Sequence, residues 1–304
     1  MAAAPTRAEE AFITNQPADE VAVVALEGAG GRLVARIPVP GAPAGIAVTA
    51  DGRRAFVTAP DGKALSVIDT AARRVTARIP VGGGPLGVAV APSGSPVYVA
   101  DWYGARLLVV DPDDPAPPRI APAGASPSGV AVTPDGAFVL TADRDDDTVS
   151  VIDAAHLQRV AVIGVGKRPF GITLSADGTR AFTANVGSDD VSVIDVAARR
   201  VAGTVKVGSR PYAVALAQGL AFVTNQYAGT VSVFDAGTLA PRATIPVGEY
   251  PEGIAAAGDG GHVYVANWFD NALSVIDVGA LKVVATLPVG DGPRAFGAFI
   301  RRDP

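Results

Sequence analysis

A repeat constrains this chain more than any other feature. A proline heading an apolar run recurs at Pro43, Pro85, Pro127, Pro169, Pro211, Pro251 and Pro293, at intervals of 42, 42, 42, 42, 40 and 42 residues. A second marker, the aspartate closing a Val-Ser-Val-Ile-Asp-like run, falls at Asp69, Asp111, Asp153, Asp195, Asp235 and Asp277, at intervals of 42, 42, 42, 40 and 42. Two markers in phase through a whole chain, at a period between 20 and 50 residues, indicate a solenoid, a propeller or an array. The short unit has lost two residues where Ala217-Gln218-Gly219-Leu220 replaces Ser175-Ala176-Asp177-Gly178-Thr179-Arg180. That is a turn, where deletions are tolerated.

Each unit holds four short β-rich runs, A to D, as in Gly171–Ser175, Ala181–Asn185, Val191–Asp195 and Ala202–Val207. Asp-Gly pairs between A and B (Asp51-Gly52, Asp135-Gly136, Asp177-Gly178, Asp259-Gly260) are strong hairpin signals. No segment sustains a 3.6-residue period, so helices are expected to be nearly absent. Four-stranded antiparallel units of this length predict an all-β, seven-bladed propeller. Six units run from Pro43 to Gly292; the tail 293–300 reads as a lone strand A and the head 11–42 as strands B, C and D. The termini are therefore expected to share a closing blade, leaving no open edge. The whole chain, 1–304, reads as one domain with 1–10 as a disordered extension. Two β-sandwiches would not need an in-phase repeat.

Composition removes several function classes. The net charge of -5 gives no global attraction to phosphate backbones or anionic membrane. Absence of cysteine excludes disulfides, thiolate metal sites and a thiol nucleophile. No apolar run has transmembrane length, and Met1 to Glu10 contains no apolar leader core. The chain is read as a monomer.

The runs Ala11-Phe-Ile-Thr-Asn15, Ala221-Phe-Val-Thr-Asn225 and Val263-Tyr-Val-Ala-Asn267, with the Val-Gly-x-x-Pro-x-Gly links, resemble the Tyr-Val-Thr-Asn (YVTN) β-propeller repeat family over residues 11 to 300. The resemblance implies the propeller fold and a periplasmic or secreted location. Its members include surface-layer proteins, propellers associated with pyrroloquinoline-quinone pathways and a bacterial protein thought to bind DNA. Departures are local: Ala25, Ala59 with Pro60, and the proline-rich Pro112–Pro118.

In such a meander the D-to-A and B-to-C connections share one rim. A site is expected where units differ at equivalent positions there. Residues flanking the recurring proline are small in early units (Ala42 and Ala44, Ser126 and Ser128) and become Arg168 and Phe170, Arg210 and Tyr212, Tyr250 and Glu252, then Arg294. The B-to-C links add Trp102, Tyr103, Arg144, Gln226, Tyr227, Trp268 and Phe269. Aromatic faces supply contact area, and arginine supplies a donor fork for carboxylate or phosphate. These residues are the candidates for binding a small anionic or aromatic ligand, or a partner protein. The competing reading is that Phe170, Tyr212 and the tryptophans pack between blades or plug the channel mouth.

Other chemistry is poorly supported. His156 and His262, the only histidines, fall on the opposite rim in units three apart, so no triad or histidine metal site is expected. Asp143-Arg-Asp-Asp-Asp147 lacks EF-hand spacing and reads as a solvated loop. The repeated strand-C aspartates read as turn scaffold accepting backbone N–H groups. Gly82-Gly83-Gly84 precedes a proline rather than a helix and cannot cradle phosphate. No cofactor, metal or catalytic residue is assigned. The leading expectation is a non-enzymatic binding or accessory propeller. The alternatives are a lyase or hydrolase using Glu252, Tyr250 or Tyr212 as acid or base, and nucleic-acid binding, which the net charge disfavours.

Overall fold

The computed structural model describes residues 9–114 and 116–302. Seven sheets follow one another around an axis, each built on an antiparallel A, B, C, D blade; six have four strands and the sheet of blade 2 has a fifth. In blade 6 these strands are Pro211–Ala217, Leu220–Asn225, Thr230–Asp235 and Pro241–Pro246. Among the described residues the only helical element is a single 3-10 turn at Arg144–Asp146. No helix is long and apolar enough to cross a membrane. The middle strands are buried almost end to end, as Leu220–Asn225 shows, whereas the outer strands alternate. That is the pattern of sheets stacked face to face.

The termini meet in blade 1. Ile300–Arg301 pairs with Glu9–Asn15, which pairs with Glu20–Glu27 and then Gly30–Pro38. Strand B of this blade begins at Glu9, so the expected extension of 1–10 is too long by two residues; 1–8 lie outside the described residues. The tail also departs from the expected single strand. Pro293 bridges Asn15 and Ile300 pairs with Ala11, but Phe296–Ala298 between them swings toward the axis and pairs in parallel with Gly45–Val48 of blade 2. Positive φ at Ala295 (47°) and Gly297 (127°) makes the excursion. Glu10 fastens the joint, its carboxylate contacting Arg301 of the tail at 2.7 Å and Arg73 of blade 2 at 2.5 Å.

Two close approaches account for Gly208 in the link into blade 6 and Gly171 in strand A of blade 5. In the link into blade 6 a Cβ on Gly208 would lie 2.6 Å from the Asn225 carboxamide, which itself donates to Thr230 and Ser232. A Cβ on Gly171, two residues after Pro169, would lie 2.5 Å from the Tyr212 carbonyl of the next blade. Inner strands thus approach to backbone contact. Threonine bridges them: Thr224 Oγ1 accepts from Ala213 N–H and donates to the Glu252 carbonyl of blade 7.

The strand-C aspartates behave as the repeat predicts, Asp195 accepting from Ala198 N–H and Asp277 from Ala280 N–H. The acidic run corrects its reading in part. Asp143 is fully buried, accepting from Thr141 and Ser150, while Asp145, Asp146 and Asp147 accept from Ser126, Ala125 N–H and Lys167. Each carboxylate has a protein partner, and no cluster suited to a metal occurs among the described residues.

Candidate functional site

A β-bulge sets the geometry of the rim. In blades 3 to 7 the A-to-B register slips after the recurring proline, as between Pro211 and Val214. A bulge re-aims the side chain it carries. The residues after the prolines gather on this rim: Ala44, Leu86, Phe170 and Tyr212 share one apolar cluster, and Phe170, Tyr212, Glu252 and Arg294 line one pocket, while Ser128 donates to the Phe170 carbonyl of the next blade. Four of these residues, Ala44, Leu86, Phe170 and Tyr212, pack with Phe296 from the tail as an apolar plug. Ring centroids lie 4.4 Å apart for Phe170–Tyr212, 5.1 Å for Phe170–Phe296 and 5.5 Å for Tyr212–Phe296. Below the plug an axial channel of about 650 Å³, walled by small inner-strand residues such as Ala89, Ala131 and Ala215, runs toward the opposite rim.

Above the plug lies a pocket of about 230 Å³ lined by Trp102, Arg144, Phe170, Val186, Arg210, Tyr212, Gln226, Tyr250, Glu252 and Arg294. Its floor is a chain of polar contacts. Arg210 Nε donates to Gln226 Oε1 (2.9 Å), Gln226 Nε2 donates to Glu252 Oε1 (2.8 Å), and Glu252 Oε2 lies 3.3 Å from Arg294 Nε. Arg294 donates twice to the Tyr212 hydroxyl, at 3.0 and 2.8 Å, and once to Gln16 Oε1 of blade 1. Burial pushes the Glu252 carboxyl above its ordinary range, opposed by the Arg294 guanidinium and by the neighbouring Tyr212 hydroxyl and Gln226 carboxamide. Burial likewise pushes the Tyr212 and Tyr250 hydroxyls up.

Aromatic groups wall the pocket and continue over the rim. Trp102 lies 6.1 Å from Phe170 and carries Arg144 over its ring at 5.5 Å. Tyr250 sits between Tyr227 (5.9 Å) and Phe269 (5.3 Å), and Arg210 stacks on Tyr227 at 4.7 Å. Tyr103, Tyr227 and Phe269 are 83%, 64% and 62% exposed. The residues just before the prolines, Arg168, Arg210 and Tyr250, take left-handed backbone (φ 53°, 57° and 56°), as do Ala42 and Ser126 in other units, so this conformation belongs to the link itself.

Nine sequence candidates thus line one pocket: Trp102, Arg144, Phe170, Arg210, Tyr212, Gln226, Tyr250, Glu252 and Arg294. Tyr103 and Tyr227 lie outside it on the rim surface, and Trp268 packs against the link at Gly292. Arg168 is exposed and lines a neighbouring depression with Lys167 and Asp147. The plugging role weighed for Phe170 and Tyr212 is realised, since both are more than nine-tenths buried, yet both also line the pocket. Sequence comparison missed Gln16, Val186 and Phe296. Gln16 and Val186 occupy the position after the strand-B terminus, as Gln226 and Trp268 do, so equivalence was the available signal.

No family model and no curated protein matches the chain. Solved structures do match. Hydrazine synthase of Kuenenia stuttgartiensis is 22% identical with a TM-score of 0.77, covering 84% of this chain and 89% of that one. A functionally unknown protein from Desulfotomaculum acetoxidans DSM 771 is 16% identical with a TM-score of 0.80, covering 96% and 100%. Dihydro-heme d1 dehydrogenase NirN in complex with DHE is 18% identical with a TM-score of 0.70, covering 95% of this chain and 65% of that one. At these identities the likeness establishes the propeller fold alone.

Proposed function

We propose that this protein is a non-enzymatic recognition propeller that binds a small ligand in the pocket on its D-to-A and B-to-C rim, acting as a monomer outside the cytoplasm. One observation carries the reading: every exposed aromatic side chain among the described residues, Tyr103, Tyr227 and Phe269, lies on this rim beside the arginine-bearing pocket, whereas exposed aliphatics such as Val162 and Val284 lie on outer strands. Exposed apolar groups rimmed by polar ones mark interaction sites. The concave floor favours a small ligand over a flat protein contact. Asp145, Asp146, Asp147, Glu249 and Asp270 share the rim and oppose a phosphate backbone. The extracytoplasmic location rests on the resemblance of the repeats to the YVTN family.

A thermal-shift screen of carboxylates, sugars, quinones and short oligonucleotides, run on the wild type and on Arg210→Ala, tests the reading. Stabilisation by a compound, lost in Arg210→Ala, is the expected result; a stabilising compound indifferent to Arg210→Ala and Trp102→Ala would move the site elsewhere. The buried Glu252 carboxyl, with its raised pKa, favours an acid or base role as a second reading. Under that reading a Glu252→Gln variant binds the compound but no longer converts it.

A further inference from the structure

The charges of the pocket do not cancel. Arg144 pairs with Asp145 at 2.6 Å and Arg294 with Glu252 at 3.3 Å. Arg210 pairs with no carboxylate among the described residues; its guanidinium meets only neutral acceptors, Gln226 Oε1 at 2.9 Å and the Tyr227 hydroxyl at 3.0 Å. It is half-buried and held over the Tyr227 ring, 4.7 Å from its centroid, so it is an oriented cation without a counter-ion among the described residues. Beside it stands the converse group. Glu252 is 5% exposed; its Oε1 accepts from Gln226, while its buried Oε2 has the Arg294 guanidinium 3.3 Å away as an ion-pair partner but makes no hydrogen bond. A buried carboxylate oxygen held only by a charge contact keeps hydrogen-bonding capacity that is costly to leave unused.

Resting on the rim reading above, we infer that the pocket takes a planar aromatic monocarboxylate that also carries a hydrogen-bond donor. The carboxylate completes Arg210, whose planar fork suits that group. The ring lies against Trp102, Phe170 and Tyr250, and the donor meets the Glu252 carboxylate. The Gln226 carboxamide already spans both groups, accepting from Arg210 and donating to Glu252, so one small ring bearing an acceptor and a donor reaches both. The volume of about 230 Å³ corresponds to roughly eight waters at about 30 Å³ each, room for one substituted six-membered ring. A dianion is disfavoured, because only one positive charge is unbalanced and Glu252 repels the excess.

Calorimetric titration of the full chain with 3- and 4-hydroxybenzoate, benzoate and 4-hydroxybenzamide tests this. A hydroxybenzoate is expected to bind at least about ten-fold more tightly than the neutral amide, as loss of one charge-assisted contact implies. Arg210→Gln should abolish that preference, with folding verified by an unchanged melting profile, and Arg210→Lys should restore part of it. Glu252→Gln should narrow the gap between hydroxybenzoate and benzoate. Equal binding of acid and amide, a preference that survives Arg210→Gln, or no binding of any of the acids would overturn the inference. A different class of compound found in the thermal screen and lost in Arg210→Ala would sink this ligand assignment while leaving the rim reading intact.

Discussion

At the scale of single residues, the recurring asparagine at the end of strand B does most to shape the rim. Asn185, Asn225 and Asn267 each donate to a strand-C serine and sit beneath a link glycine with no room for a side chain. Blade 2, where Ala59 replaces the asparagine, also carries Pro40 in place of the glycine, as expected if the two depend on each other. Gly208→Ala should therefore cost about 1–3 kcal/mol by overpacking, and Asn225→Ala about 1–3 kcal/mol through lost buried hydrogen bonds. The double variant should cost less than the sum, because removing the carboxamide frees the space; urea midpoints measure all three. Asp143 occupies the same position, and burial holds its carboxyl above the ordinary range despite the Ser150 and Thr141 hydroxyls. A carboxyl that binds its proton more tightly when folded makes stability fall as pH rises from the ordinary aspartate range through the raised folded value. Asp143→Asn, which recreates the asparagine–serine pair found in other blades, should remove that fall. Urea midpoints at pH 4.5 and pH 8 would show it, and an unchanged pH slope would contradict it. The asparagine was legible in sequence as a repeat signature, but its dependence on the link glycine was not, because the two meet only when the link folds over the strand end.

At the scale of elements, the bulge after each proline and the divided tail decide what gathers on the rim. The proline period was plain in the sequence, and comparing equivalent positions gathered most of the pocket. The register slip itself was not visible, since a bulge arises from the pairing of two strands. Phe170→Ala, which removes a ring packed on Tyr212 and Phe296, should cost about 3–5 kcal/mol and open the plug between pocket and channel. The repeat predicts a single strand for the tail, because 293–300 stands where strand A of a further unit begins; Phe296–Ala298 chooses the edge of blade 2 through spatial proximity, which no local pattern encodes. Glu10 ties this tail to two arginines, so Glu10→Ala should weaken closure by about 1–3 kcal/mol. Hydrogen exchange should then accelerate first in 9–15 and 296–301 while Pro169–Leu174 of blade 5 keeps its protection. Uniform acceleration in every blade would contradict a local joint.

At the scale of the molecule, closing the ring and assembling the pocket are one event. Arg294 comes from the tail, Gln16 from the head, and Tyr212 and Glu252 from blades 6 and 7, yet all meet on one guanidinium. Deleting 293–304 would bare the edges of Glu9–Asn15 and Gly45–Val48 and remove Arg294 from the pocket. Light scattering should show concentration-dependent association of that variant, since uncovered strand edges pair with one another. The closing blade could be counted from the repeats, but its coupling to the pocket depends on which tail residue follows Pro293. The central claim is that recognition takes place in this pocket. Its most direct test is quenching in a Trp268→Phe variant, which leaves Trp102 on the pocket wall as the sole tryptophan. Titration with a compound bound by the protein should quench Trp102 saturably, at the affinity found by calorimetry. Unchanged Trp102 emission while calorimetry records binding would place recognition elsewhere on the propeller.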